Sequence, residues 1–256
     1  MPTPFPHERT AVVTGAASAR GIGRATAQKL AAHGWNLAIL DLDGAGATAL
    51  ATRLAADHGI QTLGLGVDVT DRTAVHAAIS RIEAELPQIV GLANIAGISS
   101  PTPFLEETAE GWNRVLAVNL TGVFFVTQGI AATMARHGVG RIVSVSSVSF
   151  QRGGGVYSKS AYSVSKGGVV GLMRAVAREL GERGITANTV SPGPVDTDIM
   201  GGPLTEARKA EMSRNTLIGR VATPEDVAAV VAFLLGEDAG NITGATYDTN
   251  GGMQLS

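Results

Sequence analysis

Residues 10–23 read Thr-Ala-Val-Val-Thr-Gly-Ala-Ala-Ser-Ala-Arg-Gly-Ile-Gly: a short apolar run that breaks into glycines and then continues as a helical pattern towards His33. An uninterrupted Ala/Val/Thr run reads as a strand buried on both faces. Gly15, Gly21 and Gly23 permit a tight turn and let backbone N–H groups approach a pyrophosphate at the positive end of the helix. Such turns also serve as plain connectors, so the next element matters. The second apolar run ends in Asp41, about twenty residues past the turn, where an acid can hold the hydroxyls of an adenosine ribose. A carboxylate there would repel a 2′-phosphate and argues for NAD over NADP. Arg20, beside the turn, argues the other way; Asp41 is given precedence because a strand-end acid points at the ribose.

Outward from this turn the pattern repeats. Strands are expected at Thr10–Thr14, Leu37–Asp41, Thr62–Asp68, Val90–Asn94, Arg141–Ser146, Thr186–Val190 and Ala245–Asp248. Helices are expected at Gly21–His33, Ala45–His58, Arg72–Leu86, Gly111–His137, Ala161–Arg183 and Pro224–Leu235. Alternation of this kind implies right-handed crossovers and a parallel sheet with helices on both faces. His33-Gly34, His58-Gly59, His137-Gly138 and Arg183-Gly184 close four helices with a base and a glycine, and Thr223-Pro224 opens the last one. The chain reads as one domain, 1–256, with a long aperiodic segment around 191–220 of the kind that closes active sites.

Composition narrows the partners. Among 256 residues, 45% are hydrophobic and 16% charged, with a net charge of −2, which gives no electrostatic footprint for nucleic acid or an anionic membrane. There is no cysteine, which excludes thiolate chemistry and disulfides. Three of the five histidines sit in capping positions and no paired-His spacing occurs, so no metal is expected. No signal segment is evident, no stretch reads as long and apolar enough to span a bilayer, and a cytoplasmic location is the default expectation.

The chemistry is concentrated in Tyr162-Ser163-Val164-Ser165-Lys166. Tyrosine and lysine at i and i+4 lie side by side on one helix face. A neighbouring ammonium is expected to lower the phenol's pKa towards the range useful for general acid–base work. Serines 146 and 147 end the fifth strand, Asn94-Ile95-Ala96-Gly97 the fourth, and Pro192-Gly193-Pro194-Val195-Asp196-Thr197 follows the sixth. All these clusters fall at the carboxyl edge of the sheet, where open α/β folds bind ligands.

In these motifs the chain resembles the short-chain dehydrogenase/reductase family, from Thr10 to Gly252. Thr14–Gly23 resembles the family's TGxxxGxG turn, with two more residues between Gly15 and Gly21; Asn94–Gly97 its NNAG-type stretch; Tyr162–Lys166 its YxxxK; and Pro192-Gly193 with Thr197 its PG segment. The resemblance implies a Rossmann-like, doubly wound parallel sheet of about seven strands in the order 3-2-1-4-5-6-7, and a homotetramer. It implies a catalytic set of Asn119, Ser147, Tyr162 and Lys166. Tyr162 would exchange the substrate proton, Ser147 bind the substrate oxygen, Lys166 bind the nicotinamide ribose, and Asn119 hold a relay water. Ser149, with the shorter interval to Tyr162, is the alternative serine. The cofactor contacts it implies are Gly15, Ser18, Arg20, Gly21, Ile22, Gly23, Asp41, Leu42, Asp68, Val69, Asn94, Ala96, Gly97, Tyr162, Lys166, Pro192, Gly193, Val195 and Thr197.

The expected function is therefore NAD(H)-dependent interconversion of a secondary alcohol, such as a polyol or sugar, and its ketone. A 3-oxoacyl-thioester reductase is the enzymatic alternative. A non-catalytic dinucleotide sensor is the alternative of another class. Residues 198–215 are expected to close the substrate pocket, with Met200, Leu204 and Met212 as apolar walls.

Overall fold

The computed structural model describes residues 3–255. Seven parallel strands form one sheet in the order β3-β2-β1-β4-β5-β6-β7: β1 (Thr10–Thr14), β2 (Asn36–Asp41), β3 (Thr62–Gly66), β4 (Ile89–Asn94), β5 (Gly140–Val145), β6 (Ile185–Pro192) and β7 (Thr246–Thr249). β1, β4, β5 and β6 are buried along their whole length, as uninterrupted apolar strands between two helical layers should be.

Each face of the sheet has its own apolar core. On one side lie α1 (Ile22–Ala32), α2 (Gly44–His58) and α9 (Pro224–Leu235), which bury Leu30, Leu50, Leu54, Val227 and Val231. On the other lie α3 (Arg72–Glu85), α5 (Val123–His137) and α7 (Ser160–Leu180), with Ile79, Ile82, Ile130, Met134 and Met173 fully or almost fully buried. Gly59 and Gly138 take the left-handed conformation at the ends of α2 and α5, as the His-Gly pairs predict.

Several expected boundaries move. The third strand stops at Gly66, one ladder bond (Val67 N–H to the Asp41 carbonyl) marking its end, because β2, its only partner, ends at Asp41. The helix expected at 111–137 is α4 (Ala109–Leu116), a π-helical turn (Ala117–Gly122) and α5. By length and apolar composition the run Ala109–His137 meets the threshold for a membrane span, contrary to the sequence expectation, but Val126, Ile130 and Met134 belong to the sheet's core. Two further α-helices are short, α6 (Ser149–Arg152) and α8 (Glu206–Ser213), the latter inside the segment expected to be aperiodic.

The strand order reverses between β1 and β4, whose carboxyl ends diverge into loops of opposite direction. That crevice is where a doubly wound sheet accommodates a ligand.

Candidate active site

A cleft of about 1120 Å³ runs along this edge of the sheet. It exceeds the roughly 300–1,000 Å³ of a typical small-ligand site, leaving room for a dinucleotide with a second molecule.

At one end stands the glycine turn. Gly15 has φ +71°, and a side chain there would lie 2.6 Å from the Ala96 Cα; at Gly23 it would overlap the Gly15 carbonyl oxygen. The turn is pinned from the neighbouring strand as well, since Thr14 Oγ1 accepts the N–H groups of Ile95 (3.0 Å) and Ala96 (3.1 Å). α1 begins at Gly21 with no side chain capping its first turn and no acid in it. Its free N–H groups and dipole therefore form a site for an anion. This bare, glycine-lined helix start is what a pyrophosphate requires.

Asp41 lines the cleft, and its carboxylate also braces the turns around it, accepting from the Ala17 N–H (2.8 Å) and the Asp43 N–H (3.0 Å). The N-cap of α2 is left to Asp43. Arg20 is partly exposed and is not part of the cleft wall. Its guanidinium pairs with Asp196 and Asp198, beyond β6, while Ser18 Oγ donates to Asp198 (2.8 Å). Asp196 also receives Lys209 (3.0 Å) and the Leu204 N–H (3.1 Å). Partial burial alone would raise the Asp196 pKa; the bonds from Leu204, Lys209 and Arg20 outweigh it and hold the carboxyl at about 2.

At the other end Ser147 and Tyr162 stand together on the cleft wall, near enough for the serine hydroxyl to favour the ionised phenol. Ser149 Oγ is buried with no hydrogen-bond partner among the described residues, and its N–H donates to Ser147 Oγ (3.2 Å); of the two serines only Ser147 acts on the Tyr162 phenol. Burial pushes the Tyr162 phenol above its ordinary pKa, and Ser147 works against it. Lys166 is not among the causes, contrary to the sequence expectation. Its ammonium donates to the Val145 carbonyl (2.8 Å), with Nζ 5.7 Å from the Tyr162 ring centre, and burial lowers its own pKa to about 8.

Asn119 lies in the π-helical turn, fully buried. Its amide accepts from the Ile98 N–H (2.9 Å) and donates to the Ile98 carbonyl (2.9 Å) and Ser165 Oγ (3.2 Å), so it clamps the β4 loop to α7. A side chain at Gly97 would press on Asn119 Oδ1 at 3.1 Å and Lys166 Nζ at 3.5 Å, which makes these three immediate neighbours.

Of the residues expected at the site, Gly15, Ser18, Gly21, Ile22, Asp41, Leu42, Asp68, Val69, Ala96, Gly97, Ser147, Tyr162, Lys166, Pro192, Gly193, Val195 and Thr197 line the cleft. Four are not among the lining residues. Arg20 is held by carboxylates, Gly23 is packed on Gly15, and Asn119 is committed to Ile98. Asn94 is buried, with Nδ2 bonded to Thr127 (2.9 Å) and Ser144 (3.0 Å), and so braces β4 from within. On the lid, Met212 reaches the cleft, whereas Leu204 is buried away from it; the side chain of Met200 is outside the described residues. Arg208 and Met253 line the cleft without any motif in the sequence to mark them.

An anion-ready glycine turn, a strand-end acid and a Ser/Tyr/Lys group in one crevice of a doubly wound sheet define a dinucleotide-binding α/β protein. Comparison with known proteins narrows the class. Residues 15–254 match the family model described as Enoyl-(Acyl carrier protein) reductase. The chain is 41% identical over 248 residues to an uncharacterized short-chain type dehydrogenase/reductase, y4mP, of Sinorhizobium fredii, covering 96% of this chain and 98% of the relative. It is 38% identical over 245 residues to the 3-oxoacyl-[acyl-carrier-protein] reductase FabG of Aquifex aeolicus (96% and 97% covered). It is also 38% identical over 251 residues to the reductase of that description, MabA, of Mycobacterium tuberculosis (96% and 93%). The chain belongs to the short-chain dehydrogenase/reductase family. It is accordingly an oxidoreductase of a nicotinamide-dependent family working between CH–OH and C=O groups.

Proposed function

We propose that this protein is an NAD(H)-dependent oxidoreductase that interconverts a small secondary alcohol, of the polyol or sugar type, and its ketone. The observation that carries the reading is the grouping of Ser147, Tyr162 and Lys166 in the same cleft as the uncapped start of α1. The dinucleotide supplies or takes the hydride; the chain's own residues handle the proton and the charge. Ser147 orients the substrate oxygen towards Tyr162. In reduction the phenol, kept neutral by burial, donates its proton to that oxygen, and in oxidation it receives one. Lys166, buried on the cleft wall with its ammonium held by the Val145 carbonyl, is the group to hold the nicotinamide ribose. Asn119 fixes the backbone of Ile98 against α7 and so acts as a positioning residue behind the cleft.

Two features support NAD. Asp41 places a carboxylate on the cleft wall, and Arg20, within the turn, is already paired with Asp196 and Asp198, while Arg24 is spent on the Ala17 and Ser18 carbonyls. Lys209 and the Leu204 backbone, both from the 198–215 lid, hold the same Asp196. One domain, 1–256, would carry both the dinucleotide and the catalytic functions, in a cytoplasmic homo-oligomer.

A second reading, reduction of a 3-oxoacyl thioester, is favoured by the names of the FabG and MabA relatives. The two separate in one assay, with NADH and NADPH each offered with acetoacetyl-coenzyme A and with a panel of polyols and small ketones. Tyr162→Phe is expected to lose at least about a thousandfold in turnover while binding NADH as before. Tight NADH binding by the wild type without turnover of any alcohol, ketone or thioester would instead identify a sensor.

A further inference from the structure

The cations on and around the lid differ in one respect. Arg20 and Lys209 are paired with carboxylates, whereas Arg208 has no hydrogen bond or ion pair from its guanidinium among the described residues. It is half-buried on α8, with its guanidinium carbon 4.4 Å from the centre of the Tyr157 ring, and both side chains line the cleft that holds Ser147 and Tyr162. Stacking on an aromatic face fixes a guanidinium while leaving its edge N–H groups free. Glu211, one turn further along α8, reaches the cleft and yet forms no ion pair with it. Arg152, at the end of α6, faces the same space with one N–H on the Met253 carbonyl (2.6 Å) and no carboxylate. An oriented, partly desolvated guanidinium with unused donors is matched by an oxyanion.

We infer that Arg208 determines substrate specificity by pairing with an anionic group, carboxylate or phosphate, that the alcohol or ketone carries away from its reacting carbon. This rests on the oxidoreductase reading above and narrows its substrate class to hydroxy or keto compounds bearing an oxyanion.

The test is calorimetric titration of the full-length protein saturated with NAD. Against a ketone this forms a complex with no hydride to transfer, so binding is read without turnover. 4-Oxopentanoate is compared with its methyl ester, and dihydroxyacetone phosphate with dihydroxyacetone. One or both anions should bind roughly 10- to 100-fold more tightly than the neutral partner, the worth of a charge-assisted hydrogen-bond pair. R208Q should remove that preference without changing the neutral ligands' affinity or the melting temperature, and R208K should restore part of it. Equal binding of acid and ester, an unchanged preference in R208Q, or absence of binding by both anions would overturn the inference. So would weaker binding of NAD itself by R208Q, which would give the guanidinium to the dinucleotide's phosphates. Failure of the wild type to reduce any ketone with NADH would count against the oxidoreductase reading, whatever the titration shows.

Discussion

Two helices start at comparable places in this fold and are finished in opposite ways. α9 opens with Thr223, whose hydroxyl accepts from the Asp226 N–H while Asp226 reaches back to the Thr223 N–H, and Pro224, Glu225 and Asp226 complete its first turn. α1 opens with a glycine, no capping side chain and no acid, at the bottom of the cleft. An exposed helix start that matters only for stability is satisfied internally; one left bare in a crevice is satisfied by something that arrives. The contrast separates scaffold from site with no reference to sequence motifs.

The comparison breaks most sharply at Gly23. Gly23→Ala forces a methyl group against the Gly15 carbonyl, and overpacking of this kind costs roughly 1–3 kcal/mol. The variant should lose measurable NADH binding in a fluorescence titration and melt at lower temperature; wild-type values for both would mean that the turn is not rigid. Gly21→Asp tests the bare end directly. The backbone there (φ −88°, ψ 150°) suits any residue, so the aspartate would cap α1 and present a negative charge where phosphate is to bind. Affinity for NADH should fall on the order of tenfold or more, with stability unchanged or slightly raised. Thr223→Ala supplies the mirror image, a loss of about 1 kcal/mol in denaturant unfolding with unaltered NADH affinity.

The smallest effect concerns pH. Asp226 is held at a pKa of about 2, first by its bonds to Arg220 (2.5 and 2.9 Å), against partial burial, and further by Thr223. Because the folded value lies below that of the unfolded chain, the stabilisation is complete above about pH 4 and disappears as pH falls through about 2. The pair is solvent-exposed enough that its contribution should stay under about 1 kcal/mol. Asp226→Asn should flatten the acid limb of the stability curve by that amount and leave the neutral plateau lowered.

The sheet, its order and the glycine turn were legible because they are written in local pattern: apolar runs of strand length, periodic helices, glycine after histidine. The cleft-lining role of Asp41, Ser147, Tyr162 and Lys166 was legible for a related reason, since strand ends and helical spacing place side chains without knowledge of the interior. What escaped notice depends on tertiary contacts. Asn94 ends a strand like its neighbours but points between α5 and β5, where Thr127 and Ser144 satisfy it. The π-helical turn at Ala117–Gly122 carries no sequence signal apart from a polar residue in an apolar helix, and it is Asn119's bonds to Ile98 that explain it. The effect of Lys166 on Tyr162 was inferred from spacing alone. Within the protein, burial dominates both groups and the ammonium is turned to a carbonyl.

One consequence follows from Asp196. A single carboxylate is shared by a cation of the phosphate turn, Arg20, and a cation of the lid helix, Lys209. One anion thus ties the edge of the glycine turn to the helix at the substrate end of the cleft, so that neither can shift without straining or breaking a bond to Asp196.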